Sequence, residues 1–162
     1  MNKKTKQILA VIAAVCTVAA LILAVIVRVS TPDKPGLIIQ TDRNTVTISW
    51  DDLEQTSFSG EIVNGKGEVS EHEYQGTELI ALLQANGIEI NADTKITASS
   101  EDNYTAELSG AEVMSAGKVY VAVISDGEMI ESIDGKQGSQ LVVYGDANAK
   151  RQVRYLKIIT VE

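Results

Sequence analysis

The sequence predicts an α+β domain, rich in mixed or antiparallel strands with one or two short helices, together with one N-terminal transmembrane helix. Three observations predict this class. Short segments with an apolar residue at every second position recur between residues 37 and 162, one stretch has helical periodicity, and residues 8–27 form an unbroken apolar run. A chain of 162 residues is long enough for one such domain and an appendage.

The apolar run Ile8–Val27 contains no charged residue, proline or glycine. At about 1.5 Å per residue, a helix of this length spans the hydrocarbon core of a bilayer. Because Lys3, Lys4 and Lys6 precede the run, we expect a cytoplasmic N-terminus and an extracytoplasmic domain at the cell membrane. A cleaved signal peptide is the alternative, but its apolar region is usually only about 7 to 15 residues. The run therefore predicts an uncleaved, single-pass signal-anchor.

The chain is expected to divide into three segments. Residues 1–30 form the cytoplasmic tail and anchor, residues 31–36 are a stiff spacer of sequence Thr-Pro-Asp-Lys-Pro-Gly, and residues 37–162 form the extracytoplasmic domain. Residues 31–162 contain 22 acidic and 10 basic side chains, a net charge of −12, so we expect no nucleic-acid partner. The only cysteine, Cys16, lies in the predicted anchor, so the domain offers no disulfide and no thiolate.

Most predicted strands alternate apolar and polar residues. The segment 119–124, Val-Tyr-Val-Ala-Val-Ile, is apolar on both faces and therefore predicts a central strand. Asn64 and Gly65 lie between extended runs and predict a hairpin turn, because both residues accept a positive φ. Strands are expected at 37–40, 45–50, 57–63, around Val69, and at 96–100, 104–108, 119–124, 141–144 and 153–161.

One helix is predicted at Thr77–Asn86, where leucine and isoleucine side chains form an apolar stripe. Thr77 is expected to cap its N-terminus, and Asn86 with Gly87 to supply the left-handed stop. A second, shorter helix is predicted within residues 109–116, where Ser109 is a plausible cap.

Residues typical of catalysis or metal binding are sparse. His72 is the only histidine and lies between Glu71 and Glu73, where we expect it to be an ordinary surface residue. No second nitrogen or sulfur ligand is near it in the sequence, and a serine triad would have to recruit it across the fold.

A cluster of basic residues near the C-terminus contrasts with the acidic domain. Arginine suits two-point binding of phosphate or carboxylate groups. On a regular strand, however, Arg154 would face away from Arg151 and Lys157, so the cluster would not converge from strand geometry alone. Neutralisation of a neighbouring acidic surface is an equally open interpretation. The cluster consists of Lys150, Arg151, Arg154 and Lys157.

The order of several segments resembles the molybdopterin-binding oxidoreductase domain of the sulfite oxidase family. The resemblance spans about residues 45–161 and implies that family's fold. It also implies that Arg151 and Arg154, with Lys150 beside them, lie near the phosphate of a pterin cofactor. Tyr74 would stand for the family's aromatic residue before the helix, and Tyr155 for its tryptophan. The segments are Glu73–Ile88, Ile96–Tyr104, Val121–Glu128, Leu141–Tyr144 and Lys150–Ile159.

Two departures from the family pattern bear on function. Enzymes of the family hold molybdenum through a cysteine on an early strand, and the corresponding segment 57–63 contains none. A further anion-binding arginine is lost, because Gly138, Ser139 and Gln140 stand where the family has Pro-Leu-Arg. A molybdenum centre is therefore not expected, since the metal would lack its thiolate.

We accordingly expect a non-catalytic binding or interaction module. Its expected contacts are the membrane, through residues 8–27, and a protein partner or a small anionic ligand. An oxidoreductase or electron-transfer protein that holds a pterin or another anionic cofactor on Arg151, Arg154 and Lys150 is one alternative. A structural subunit of a membrane complex is another.

Overall fold

The computed structural model describes residues 36–63, 67–146 and 149–162. The predicted anchor, the spacer up to residue 35 and the turn residues Asn64 and Gly65 lie outside these ranges. Within them, no helix is both long and apolar enough to cross a membrane.

The described residues form ten strands and two short α-helices, a β-rich arrangement of the predicted class. Two single-turn 3-10 helices, Trp50–Asp52 and Ala149–Arg151, are also present. In chain order the strands and helices are β1 (Gly36–Thr41), β2 (Thr45–Ser49), β3 (Thr56–Val63), β4 (Val69–Glu78), α1 (Leu79–Ala85), β5 (Lys95–Ser100), β6 (Thr105–Ser109), α2 (Gly110–Val113), β7 (Val119–Ser125), β8 (Glu128–Met129), β9 (Gln140–Val143) and β10 (Leu156–Val161).

The strands form two five-stranded sheets. The first has the order β2-β1-β10-β5-β6, in which β1 and β10 are parallel and the other pairs antiparallel. The second has the order β3-β4-β7-β8, and β9 also pairs with β7. All of its pairs are antiparallel. The prediction that 119–124 is a central strand is confirmed, because β7 pairs with β4, β8 and β9.

The main hydrophobic core joins both sheets and helix α1. It includes Ile39 of β1, Val121 of β7 and Leu83 of α1, all fully buried. Successive strand residues point to opposite faces, so Ala122 belongs to a second, smaller cluster on the other side of β7. That cluster also contains Tyr74, Val142 and the partly buried Phe58, Tyr120 and Ile130. The second sheet thus buries apolar side chains on both faces.

Helix α1 begins two residues later than predicted. Thr77 does not cap it, because Thr77 still belongs to β4, where it pairs with Val121, and its hydroxyl donates to the Glu54 carbonyl. Pairing with β7 therefore outweighs the capping preference. The predicted C-terminus is confirmed, since Asn86 is the C-cap and Gly87 has φ 69°. Ser109 caps α2 as expected and accepts a hydrogen bond from the Glu112 amide at 3.2 Å.

The C-terminal strand begins at Leu156, not at Val153 as the apolar pattern predicts. Residues 152–155 form a loop that is tied to neighbouring backbone. The Val153 carbonyl accepts from the Leu141 amide, and the Tyr155 carbonyl accepts from the Glu101 amide. Tyr155 has φ 53°, which breaks the extended conformation. The expected strand alternation between Arg151 and Arg154 is therefore wrong, because neither residue lies on a strand.

Candidate functional site

A polar pocket of about 430 Å³ lies between the turn after β7 and the loop before β10. Ser125 and Asp126 of the first segment and Arg154 and Tyr155 of the second line it. Gln140, the first residue of β9, also lines it. These residues come from three segments that are distant in the sequence, and the pairing of β9 and β8 with β7 brings two of them together.

Arg154 supplies the positive charge of the pocket. It is exposed, and its guanidinium carbon lies 5.9 Å from the centre of the Tyr155 ring, within cation-π range. Among the described residues, no carboxylate forms an ion pair with it. Its hydrogen-bond donors are therefore available to a group that enters the pocket.

Gln140 supplies an amide at the wall of the pocket. The residue is only 8% exposed, and within the described ranges its side chain makes no hydrogen bond to protein. Its amide atoms are nevertheless reached by solvent, because the only fully buried side-chain nitrogen or oxygen without a partner in those ranges is Nε1 of Trp50. The amide is therefore available to donate to, or accept from, a ligand in the pocket.

Tyr74 lies next to the pocket and is almost fully buried. The pKa of its hydroxyl is raised, mainly because the group is buried. The negative charge of Asp126 adds to this increase, whereas a hydrogen bond with Ser125 and the positive charge of Arg154 oppose it. Tyr74 is thus close enough to Arg154 for the arginine charge to affect the pKa of the tyrosine. The structure brings together these two of the four residues that the sequence nominates for ligand binding.

Arg151 is placed differently. Its Nε donates to Asp146 Oδ2 at 2.5 Å, and its Nη1 donates to both carboxylate oxygens of Glu112 at 2.9 and 2.8 Å. These bonds raise the pKa of Arg151, and the bond to Asp146 has the largest effect. Arg151 thus neutralises two carboxylates of its own domain, the arrangement that the charge pattern left open. Lys150 beside it is exposed, and its carbonyl accepts a hydrogen bond from the Tyr104 hydroxyl.

His72 is partly exposed, and it has a partner that the sequence does not predict. Its Nδ1 lies 2.6 Å from Asp126 Oδ2, at the edge of the pocket. This hydrogen bond is the main reason why the pKa of Asp126 is lowered. The two residues are 54 positions apart, so no local pattern could reveal the pair.

Comparison with solved structures finds a similar fold in the sulfane dehydrogenase SoxCD from Paracoccus pantotrophus. The TM-score is 0.63 at 17% sequence identity, and the match covers 82% of this chain and 39% of that one. The chain has a sulfite-oxidase-like fold. It spans about two fifths of the length of the matching SoxCD chain. No model of a known protein family matches the sequence, and no curated protein matches it.

The sulfite-oxidase-like fold raises the question of whether these residues fit a molybdenum cofactor. Residues 36–162 contain no cysteine, so they offer the metal no thiolate. The guanidinium of Arg151 already binds two carboxylates. No group of three histidine, cysteine, aspartate or glutamate side chains able to hold a metal occurs in the described part of the chain. The donor set does not fit the cofactor.

Proposed function

We propose that this chain is a membrane-anchored, extracytoplasmic binding module in which the sulfite-oxidase-like fold no longer carries molybdenum chemistry. Its ligand is a small anion that occupies the pocket beside Arg154. The observation that carries the proposal is the combination, in one pocket, of a guanidinium without an ion-pair partner among the described residues and an amide that makes no hydrogen bond to them. Anchoring through residues 8–27 rests on the sequence.

Among anions, the charges of the pocket favour a singly charged one over a multiply charged one. Arg154 can bind a carboxylate through two parallel hydrogen bonds, and Gln140 can donate to or accept from a neighbouring polar group of the ligand. Asp126, Glu128 and Glu131 also line the pocket, and their negative charges oppose a group with several charges such as a phosphate. A small carboxylate is therefore the ligand class that fits best.

The same charges argue against the alternative in which a pterin phosphate binds here. The acidic side chains of the pocket outnumber its single arginine. The other arginine that the family resemblance assigns to the phosphate, Arg151, is held by Asp146 and Glu112. A phosphate would have to displace a carboxylate from it.

Thermal unfolding of the full chain in mild detergent tests the ligand site. We expect acetate or benzoate at millimolar concentration to raise the unfolding midpoint, and inorganic phosphate to raise it less, because binding to the folded state stabilises it by mass action. The R154Q and Q140L variants should lose the shift. K157Q, which removes another exposed cation three residues away, is the matched control and should keep it.

Two results would overturn the proposal. One is an equal carboxylate shift in the wild-type and R154Q proteins. The other is stoichiometric molybdenum and pterin in protein purified without oxygen, which would restore the oxidoreductase alternative.

A further inference from the structure

Three side chains at the edge of the second sheet form a continuous hydrogen-bonded series. Ser70 Oγ lies 2.9 Å from His72 Nε2, and His72 Nδ1 lies 2.6 Å from Asp126 Oδ2. Ser70 and His72 are two residues apart on β4 and therefore share a face. Asp126 comes from the turn between β7 and β8. Hydroxyl, imidazole and carboxylate thus stand in the order of a nucleophilic serine triad, each within hydrogen-bonding distance of the next.

The carboxylate determines how the imidazole is protonated. A carboxylate oxygen only accepts hydrogen bonds, so His72 Nδ1 must carry the hydrogen that joins it to Asp126. In the neutral ring Nε2 is then a free acceptor, and the Ser70 hydroxyl donates to it. This is the tautomer that can remove a proton from the serine.

Asp126 is itself held firmly. Its Oδ1 accepts from the Glu73 amide at 3.0 Å, and its own amide donates to the Glu73 carbonyl at 2.7 Å. Its φ of 52°, followed by 81° at Gly127, is the geometry that an Asp-Gly turn between antiparallel strands adopts. The two bonds to Glu73 hold this turn against β4 and keep the carboxylate beside the imidazole.

We propose that Ser70 is an activated nucleophile that reacts with small acyl esters and with related phosphoryl esters. His72 is its general base, and Asp126 is the residue that positions the imidazole. Ser70 is exposed, so a substrate can reach its oxygen. Asp126 also lines the carboxylate pocket, but the proposed reaction uses neither Arg154 nor Gln140, so the two proposals are tested on different residues.

The reaction requires no cofactor. The Ser70 oxygen bonds to the carbonyl carbon of the ester while its proton passes to His72 Nε2, and the negative charge moves to the carbonyl oxygen. The bond to the alcohol then breaks, and the alcohol leaves with the proton from His72. Water, deprotonated by the same imidazole, releases the acid and restores the serine.

A fluorophosphonate probe tests the nucleophile directly. Attack by Ser70 forms a phosphorus–oxygen bond and expels fluoride, and the serine proton is taken up through His72. We expect full-length protein in detergent to gain one adduct, mapped by mass spectrometry to Ser70. S70A should abolish it, and H72Q should slow labelling by about 100-fold or more, the usual contribution of a general base. S59A, at another exposed serine on the neighbouring strand β3, is the matched control and should label normally.

The role of Asp126 is tested by a pair of variants. D126N removes the negative charge and should slow labelling, whereas D126E should recover part of the rate. Both variants should unfold at similar temperatures, so a purely structural role of Asp126 predicts no difference between them. Release of p-nitrophenolate from p-nitrophenyl acetate should follow the same order, and S59A should leave it unchanged.

The proposal is overturned if Ser70 acquires no adduct, if S70A labels like the wild-type protein, or if H72Q leaves the labelling rate unchanged. None of these results would affect the carboxylate site, because that site is tested by ligand-induced stabilisation and by different residues.

Discussion

Two arginines that lie three positions apart have opposite environments. Arg154 has no ion-pair partner among the described residues and lines a pocket, whereas Arg151 binds Asp146 and Glu112. The sequence nominated both for anion binding, because arginine type and family position were visible. The partners of Arg151 were not visible in the sequence, since Glu112 lies 39 residues away and reaches Arg151 only through the packing of α2. Residue type thus predicted the capacity to bind an anion but not whether that capacity was already used.

The environment of Arg151 leads to a prediction about stability. Its removal takes the guanidinium away from the carboxylates of Asp146 and Glu112, whose side chains are only 7% and 16% exposed. We expect R151Q to lower the free energy of unfolding by about 1 to 3 kcal/mol, between the values for exposed and for buried ion pairs. Denaturant unfolding measures the change. K157Q, at an exposed site on β10, should change it by less than about 0.5 kcal/mol, and equal losses in the two variants would contradict the assignment.

The strands and helices were predictable where local pattern and pairing agree. The central strand β7 follows from its apolar composition, and the end of α1 follows from Asn86 and Gly87. The predicted boundaries were wrong where hydrogen bonds to a neighbouring segment set the end of a strand or the start of a helix. Thr77 remains in β4 because β7 continues to pair with it, and the segment before Leu156 leaves the strand because its carbonyls are bound elsewhere.

Gly76 is a position where strand pairing sets the residue type. The register of β4 against β7 shifts between Gln75 and Gly76, and a Cβ on Gly76 would overlap the carbonyl oxygen of Val121. The obstacle is backbone, so it cannot move aside without disturbing the sheet. We expect G76A to destabilise the protein by more than about 2 kcal/mol, within the range of overpacked sites.

Gly87 provides the control for this prediction. Its φ is 69°, but no atom lies within 4 Å of an added Cβ. G87A should therefore cost only about 1 kcal/mol, the strain of a left-handed alanine. Urea unfolding of both variants gives the comparison. If G76A proves no more costly than G87A, the close approach of β4 to β7 is not a constraint on the fold.

At the scale of the whole molecule, composition and alternation predicted an α+β, β-rich domain but not its sheet order. The first and last strands, β1 and β10, pair in parallel, with Ile38 opposite Ile158. This contact joins the two ends of the domain across more than a hundred residues, and no local signal in either segment specifies the other. The pocket depends on the same kind of long-range pairing, because β9 and the turn after β7 meet only in the second sheet.

The N-terminal segment leads to the last prediction. An uncleaved anchor at Ile8–Val27 implies that protein expressed in a bacterial host stays in the membrane fraction after alkaline carbonate washing, with an intact mass near 17.4 kDa. Because Lys3, Lys4 and Lys6 favour a cytoplasmic N-terminus, protease added to spheroplasts should digest the C-terminal domain. A variant that lacks residues 1–30 provides the control: it should remain inside the cell and be protected until lysis. A smaller, released product that begins near residue 30 would instead identify the segment as a cleaved signal peptide.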